Sequence, residues 1–333
     1  MKKKTKTITF IILSIIGVLI IFSGVYGYSL LNKIKTVEFT KDKKELGIST
    51  SDTDDNSIDD IKATNGIVNI AVFGIDNRSI NENGRSDAML ILTLDTNRNK
   101  IKLSSLMRDS YVNIDGHGYE KLNHAYAYGG PLLAVKTINQ TFKLDIENYI
   151  TVNFESVIDI IDYFGGVNLT ITEEERNLIN KYQYEAAEIT GKPIQLLNSS
   201  GEVTLTGIQA LSYTRIREIG NGDFERTERQ REVCELLIEK ALNMGLTDIP
   251  GAISSLAEMV TTSLSKGEML TLGKSALNSI SSFDEQRFPL DGYCDRKVVD
   301  EVWYLSFDEA ETAKQIHDYI YNDIKPTPKD PLF

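Results

Sequence analysis

The chain is poor in the residues that staple small folds together. Two cysteines and three histidines in 333 residues exclude zinc-finger, iron–sulfur and disulfide-scaffold architectures, which need clusters of them. Cys234 and Cys294 are compatible with one disulfide or with two inert thiols, and the sequence does not choose. Basic residues are also scarce: 36 Lys and Arg face 48 Asp and Glu, for a net charge of −12. Lys2, Lys3, Lys4 and Lys6 are the only charges before Lys33, so the remainder is more acidic still. Such a body is a poor general nucleic-acid binder, because neutralising phosphates takes clustered Lys and Arg, and no nucleic-acid partner is expected. Seven prolines and 23 glycines exclude a collagen-like or low-complexity chain, and 41% hydrophobic residues suffice for a sizeable core. The length fits one large or two ordinary domains.

What the sequence does have is one long apolar run. Residues 8–31, ITFIILSIIGVLIIFSGVYGYSLL, carry no charged side chain. A helix of that length exceeds the ~20 residues needed to cross a hydrocarbon core. Tyr26 and Tyr28 sit where an interfacial aromatic belt belongs. A cleaved signal peptide has a shorter apolar region, about 7–15 residues, ending in a small-residue site. The run therefore reads as an uncleaved transmembrane helix after a short segment, 1–7. Orientation stays open on charge alone, since Lys33, Lys35, Lys41, Lys43 and Lys44 follow the run as Lys2 to Lys6 precede it.

Residues 32–64 are polar and acidic with little apolar periodicity, and read as a stalk. Downstream, residues 65–325 look like one folded unit with a short tail, 326–333. IVNIAVFGI (67–75), AMLILTL (88–94) and KIKLSSL (100–106) read as strands. A Pro-started helix near 131–142, a strand at 148–154, a helix at 155–164 and a strand at 166–171 follow. Later comes a strand pair near 286–290 and 301–306. Strands and helices interleave, which predicts an α/β or α+β fold in three layers. Trp303 reads most simply as core.

If the first three strands form a meander, their charged flanks meet at one sheet end. Asp76 follows the first strand, Arg85 and Asp87 precede the second, and Arg108 and Asp109 follow the third. Two nearby carboxylates suit a small divalent cation, which takes one or two of them with waters and phosphate oxygens. Arginine forks suit a phosphate. Surface ion pairs between strand-end loops are the plainer reading of the same residues. A second basic stretch, TGIQALSYTRIREIGNGDFERTERQR (206–231), holds Arg215, Arg217, Arg226, Arg229 and Arg231. A helix from Asp223 or Phe224 to about Met244 puts Arg226, Gln230, Val233 and Leu237 on one inward stripe. Arg229 and Arg231 have Glu225, Glu228 and Glu235 at helical spacing and read as solvated ion pairs. GEMLTLGKS (267–275) has the wrong glycine spacing for a phosphate loop. His124 reads as a structural or lining histidine, and Lys121 and Asn123 as neighbours of the site.

Seven blocks then resemble a known family in their order: GIDNR (74–78), GRSDAML (84–90), SLMRDSYV (105–112), KLNHAYAYGG (121–130), YFGGVNLTI (163–171), LTGIQALSYTRIR (205–217) and GDFERTERQR (222–231). Together they are similar to the LytR-CpsA-Psr family over about residues 67–245. The resemblance implies a three-layer α/β/α fold with a mixed central sheet, on a membrane anchor with the body outside. It implies a phosphotransferase moving an anionic glycopolymer, such as teichoic acid or capsule, from an undecaprenyl-pyrophosphate carrier to peptidoglycan. By position, Asp76 and Asp87 are the implied ligands of Mg²⁺ (or Mn²⁺). Arg85, Arg108, Arg215, Arg217, Arg226 and Gln230 are the implied pyrophosphate contacts. Arg108 and Asp223 are the implied catalytic pair, Asp223 orienting an arginine or helping to activate the acceptor. Met107 and Glu225 depart from a common Pro and Gly, which bears on loop shape more than on charge. The same residues also allow a lipid-pyrophosphate hydrolase, or a non-catalytic membrane-anchored binder.

Overall fold

The computed structural model describes residues 33–49, 66–76, 84–220, 222–245, 248–279 and 282–329. The anchor expected over 8–31, the segment before it and most of the stalk lie outside the described residues. Among the described helices, none is long and apolar enough to cross a membrane. In chain order the elements open with β1 (Lys35–Thr36), β2 (Ile67–Asp76), β3 (Arg85–Asp95) and β4 (Lys100–Leu106). A hairpin of β5 (Tyr111–Ile114) and β6 (Gly118–Lys121) leads into α1 (His124–Phe142), then β7 (Asn148–Asn153) and α2 (Phe154–Tyr163). Next come β8 (Val167–Ile171), α3 (Glu173–Thr190), β9 (Gly201–Leu205), α4 (Gly207–Tyr213), α5 (Asp223–Leu242) and α6 (Ile249–Leu256). After β10 (Thr261–Thr262) the chain continues through α7 (Lys266–Ser279), β11 (Ser282–Phe288), β12 (Cys294–Val299), β13 (Val302–Phe307) and α8 (Glu309–Tyr321).

These elements form two compact units. A sheet unit takes in residues within 37–150, 262–264 and 279–333; a helical unit takes in those within 151–261 and 265–278, with the chain up to residue 36.

In the sheet unit the strands β7, β2, β3, β4 and β11 lie side by side in that order. The expected meander is there: β2 pairs antiparallel with β3, and β3 with β4. β11 joins β4 in parallel, which makes the sheet mixed. Period-two alternation puts Ala71, Phe73, Met89 and Ile91 on one face, and these share a core with Val135, Ile138 and Phe142 of α1 and Ile316, Tyr319 and Ile320 of α8.

Three expectations change here. The late strands do not pair with each other: β11 takes β4 as partner, and β13 pairs with β12. The β12–β13 turn places Asp300 and Glu301 at φ 48° and 64°, the double left-handed turn that suits strand twist but is usually signalled by Asn-Gly. Helix α1 begins at His124, earlier than Pro131 suggests. Gly129 and Gly130 interrupt it with non-helical dihedrals, and Pro131 opens the second segment, where its missing N–H costs nothing. Finally, residues 37–48, polar enough to read as stalk, are folded: Leu46 and Ile48 are buried in the core of the sheet unit.

In the helical unit, β8 and β9 form an antiparallel pair. Helix α3 starts with a reciprocal cap between Thr172 and Glu175, and at the start of α4 the Thr206 N–H donates to Gln209 Oε1 at 2.8 Å. GEMLTLGKS lies in α7, as expected of a sequence that is no phosphate loop.

Candidate functional site

Register brings the predicted charges of the sheet unit to one strand end. The last pair of the β2–β3 ladder is Asp76 opposite Arg85, after a bulge at Gly74/Ile75. Asp87 follows on β3, on the face that Met89 and Ile91 continue into the core. The Arg108 guanidinium closes on the Asp87 carboxylate. Its Nε also lies 3.3 Å from Asp109 Oδ2, and Lys121 Nζ donates to Asp109 Oδ1 at 2.6 Å. Asp109 is buried, and Arg108, Asp87 and Lys121 are partly covered. Arg85 is exposed and makes no ion pair among the described residues.

The loop after β4 is fixed by backbone bonds from three directions. Leu122 N–H donates to Ser110 O at 2.9 Å and Asn123 N–H to Arg108 O at 3.1 Å. Leu305 N–H of β13 donates to Asp109 O at 2.9 Å. This lacing ties Asn123, the residue before α1, to the Arg108 backbone, and His124 is the first residue of that helix. His124 Nδ1 lies 2.5 Å from Glu120 Oε2, and the Tyr304 hydroxyl donates to Glu120 Oε1 at 3.0 Å. Burial pushes Glu120 up, but the Lys121 N–H, Tyr304 and His124 outweigh it and hold the carboxyl below its ordinary value. Burial, then the Arg85 charge, lowers His124 below the usual imidazole value. Trp303 is not core: it is partly exposed, with Lys121 Nζ 5.5 Å from its ring centroid.

The second basic group lies in the helical unit. Arg215 donates to Glu185 Oε1 at 2.7 Å and lies over the Phe154 ring at 5.3 Å. Arg217 is exposed. On α5 the inward stripe forms as expected, with Arg226, Gln230, Val233 and Leu237 all buried. Gln230 Nε2 donates to Thr214 O at 2.9 Å, tying α5 to the turn after α4. Asp223 is the first residue of α5; its side chain, like those of Asp76 and Arg231, lies outside the described residues.

Arg229 corrects the sequence reading. It is 5% exposed and pairs with Glu175 of α3 at 3.1 Å, not with its helix neighbour Glu225. Its Nη1 also donates to Ile216 O at 3.4 Å. Position 229 sits three residues from Arg226 and four from Val233, so it shares their face, and α3 supplies the counter-charge. Neither Cys234 nor Cys294 is in a disulfide, and both are buried; burial pushes the Cys294 thiol up to about 11.

Sequence reasoning missed Glu120 and undervalued His124 and Asp109. Glu120 and His124 are four apart, but strand, turn and helix intervene, so no periodicity marks them as neighbours. The only signal was their place inside KLNHAYAYGG and next to it.

The arrangement offers guanidinium and ammonium donors next to carboxylates at a strand end, a combination that can hold a doubly charged phosphate group. The model of the LytR_cpsA_psr family matches residues 22–319. A Bacillus cereus protein named polyisoprenyl-teichoic acid–peptidoglycan teichoic acid transferase TagU is 35% identical over 319 residues, 95% of each chain. A Bacillus licheniformis protein of the same name is 28% identical over 315 residues, 94% of each chain. Among solved structures, TagT bound to LI-WTA is 26% identical with a TM-score of 0.63, covering 86% of this chain and 98% of that one. The family protein YwtF (TagT) with bound octaprenyl pyrophosphate lipid is 25% identical, TM-score 0.59, covering 85% and 99%. The mixed-sheet α/β fold is common to this chain and these structures.

Proposed function

The chain belongs to the LytR_cpsA_psr family, and from that premise we propose that it is a membrane-anchored, extracellular phosphotransferase. Its donor is an anionic glycopolymer on a polyprenyl-pyrophosphate carrier, and its acceptor is a sugar hydroxyl of peptidoglycan. The observation that carries this reading is the Asp76–Arg85–Asp87–Arg108 strand end, in a chain whose curated relatives are named teichoic acid transferases. A solved relative that holds octaprenyl pyrophosphate supports the donor class. The apolar run at 8–31 supports the anchor.

Arg108 is neutralised by Asp87 before substrate arrives. A pyrophosphate takes over the guanidinium fork, and the exposed Arg85 adds a second cation at the same end. Charge growing on the equatorial oxygens and on the departing lipid phosphate then faces fixed positive groups. A divalent cation is also part of the proposal: Asp76 and Asp87 occupy the same end of the paired strands β2 and β3, and a small cation held through one or two carboxylates keeps positions for water and phosphate oxygens. With Mg²⁺ (or Mn²⁺) held there, the chemistry supplied is neutralisation of pyrophosphate charge. Roles for Arg215, Arg217, Asp223, Arg226 and Gln230 are part of the proposal and are tested one at a time in the same assay.

The experiment follows glycan attachment from a polyprenyl-pyrophosphate-linked glycan to purified peptidoglycan, with and without Mg²⁺, for the unmodified chain and Asp87→Ala. Metal-dependent attachment lost in the variant is the expected result. Lipid cleavage without attachment points to a hydrolase, and tight lipid binding with no turnover points to a binding protein.

A further inference from the structure

A transfer to a sugar hydroxyl needs a group to take the hydroxyl proton, and the resemblance offers Asp223 for this only as an alternative to its orienting an arginine. We propose that His124, oriented by Glu120, receives that proton, a role that rests on the transferase reading above. The argument is geometric. Glu120 accepts from the Tyr304 hydroxyl at 3.0 Å and lies 2.5 Å from His124 Nδ1. An ionised carboxylate only accepts, so Nδ1 carries the hydrogen and the Nε2 lone pair is left to accept one. The Asn123 N–H to Arg108 O bond fixes the start of α1 against the phosphate-binding loop. The His124 side chain keeps 17% of its surface exposed.

The groups around the ring are of one design. Arg85 of β3 and Lys121 of β6 disfavour its protonation, Glu120 of β6 favours it, and the Tyr128 hydroxyl one turn along α1 lies 3.5 Å from Nδ1. Burial leads these effects, and the net result favours the neutral ring, the form that can accept a proton. An oriented histidine of this kind is the usual general base.

The step balances as follows. A lone pair of the sugar oxygen forms a bond to the phosphorus that carries the glycan. The bond from that phosphorus to the bridging oxygen breaks, and its electron pair leaves with polyprenyl phosphate. The hydroxyl proton passes to Nε2, and the imidazolium formed is held by the Glu120 carboxylate until it loses the proton to water.

The test uses the full chain in detergent, the polyprenyl-pyrophosphate-linked glycan and purified peptidoglycan. His124→Ala is expected to keep lipid affinity while turnover falls ~10²–10⁴-fold, the usual worth of a positioned base. Added imidazole is expected to restore part of the rate, in proportion to its neutral fraction. Glu120→Gln is expected to move the acid limb of the kcat/KM profile to lower pH, because a charge that favours imidazolium is gone. Turnover of His124→Ala near that of the unmodified chain overturns the proposal and leaves the transferase standing. So does loss of lipid binding in His124→Ala together with an unmoved acid limb in Glu120→Gln. If the unmodified chain binds the lipid and attaches nothing, the transferase reading falls, and this role falls with it.

Discussion

The buried pair between Arg229 and Glu175 gives a sharp energetic test, because Glu175 has two tasks. Its Oε2 accepts from the Thr172 N–H at 2.9 Å and from the Thr172 hydroxyl at 3.0 Å, which caps α3. Its Oε1 faces Arg229 Nε at 3.1 Å, with side-chain exposures of 6% for Arg229 and 13% for Glu175. Glu175→Gln keeps a cap-competent side chain but strands the Arg229 charge, whose remaining acceptor is Ile216 O at 3.4 Å. Breaking a buried pair from one side costs about 3 kcal/mol. Arg229→Met removes the charge that needs a partner, fills much the same volume, and leaves Glu175 with its Thr172 donors, so its cost is about 1 kcal/mol. With a urea slope of about 2 kcal/mol per molar, the midpoints fall by about 1.5 M and 0.5 M. Urea unfolding followed by far-UV circular dichroism reads both, and the double variant is expected to recover part of the larger loss. If Arg229→Met costs as much as Glu175→Gln or more, stranded charge is not what makes the pair matter, and the reasoning fails.

Two further outcomes follow from the same structure. Leu46→Ala is expected to cost about 2–5 kcal/mol, because Leu46 is fully buried; a change within experimental error in the urea midpoint would return residues 37–48 to the status of a linker. Burial alone would raise Glu218, yet the Lys181 ammonium, the Arg217 N–H and the Tyr182 hydroxyl hold it at about 2. A depressed carboxyl stabilises the fold above its ordinary value of 4.5, and that contribution drains away as pH falls towards 2. Glu218→Gln is therefore expected to flatten the stability profile over that interval, and an NMR titration of Glu218 with a midpoint near 4.5 would refute the cause.

The sheet was legible because β2, β3 and β4 each announce themselves as apolar runs between turns, and the meander then dictates that Asp76, Arg85, Asp87 and Arg108 meet. The inward stripe of α5 was legible for the same reason, since period and burial coincide. What escaped depends on partners distant in sequence. Arg229 looked solvated because Glu225 is four residues away, whereas its counter-charge comes from Glu175 on another helix. The β12–β13 hairpin turns on Asp300–Glu301, residues with no strong preference for positive φ. Leu46 and Ile48 are two apolar side chains in a polar stretch, too few to show a period yet enough to anchor it. Glu120 could not be matched to His124, because their approach depends on the bonds that lace 108–110 to 122–123.

The alternation Lys121, Asp109, Arg108, Asp87 has one more implication. Two cations and two anions in a row cancel when viewed from a distance, so these four side chains add little long-range field to that of Arg85 and of a chain with net charge −12. The attraction of these four for an anion is therefore short-ranged, and on the transferase reading proposed above it acts when a phosphate displaces Asp87 from Arg108. A chain of that net charge repels a polyanion at long range, so encounter with an anionic ligand should speed up as salt screens the repulsion. On that same reading, such a centre favours a phosphate presented at close quarters, as a headgroup held at a bilayer surface is.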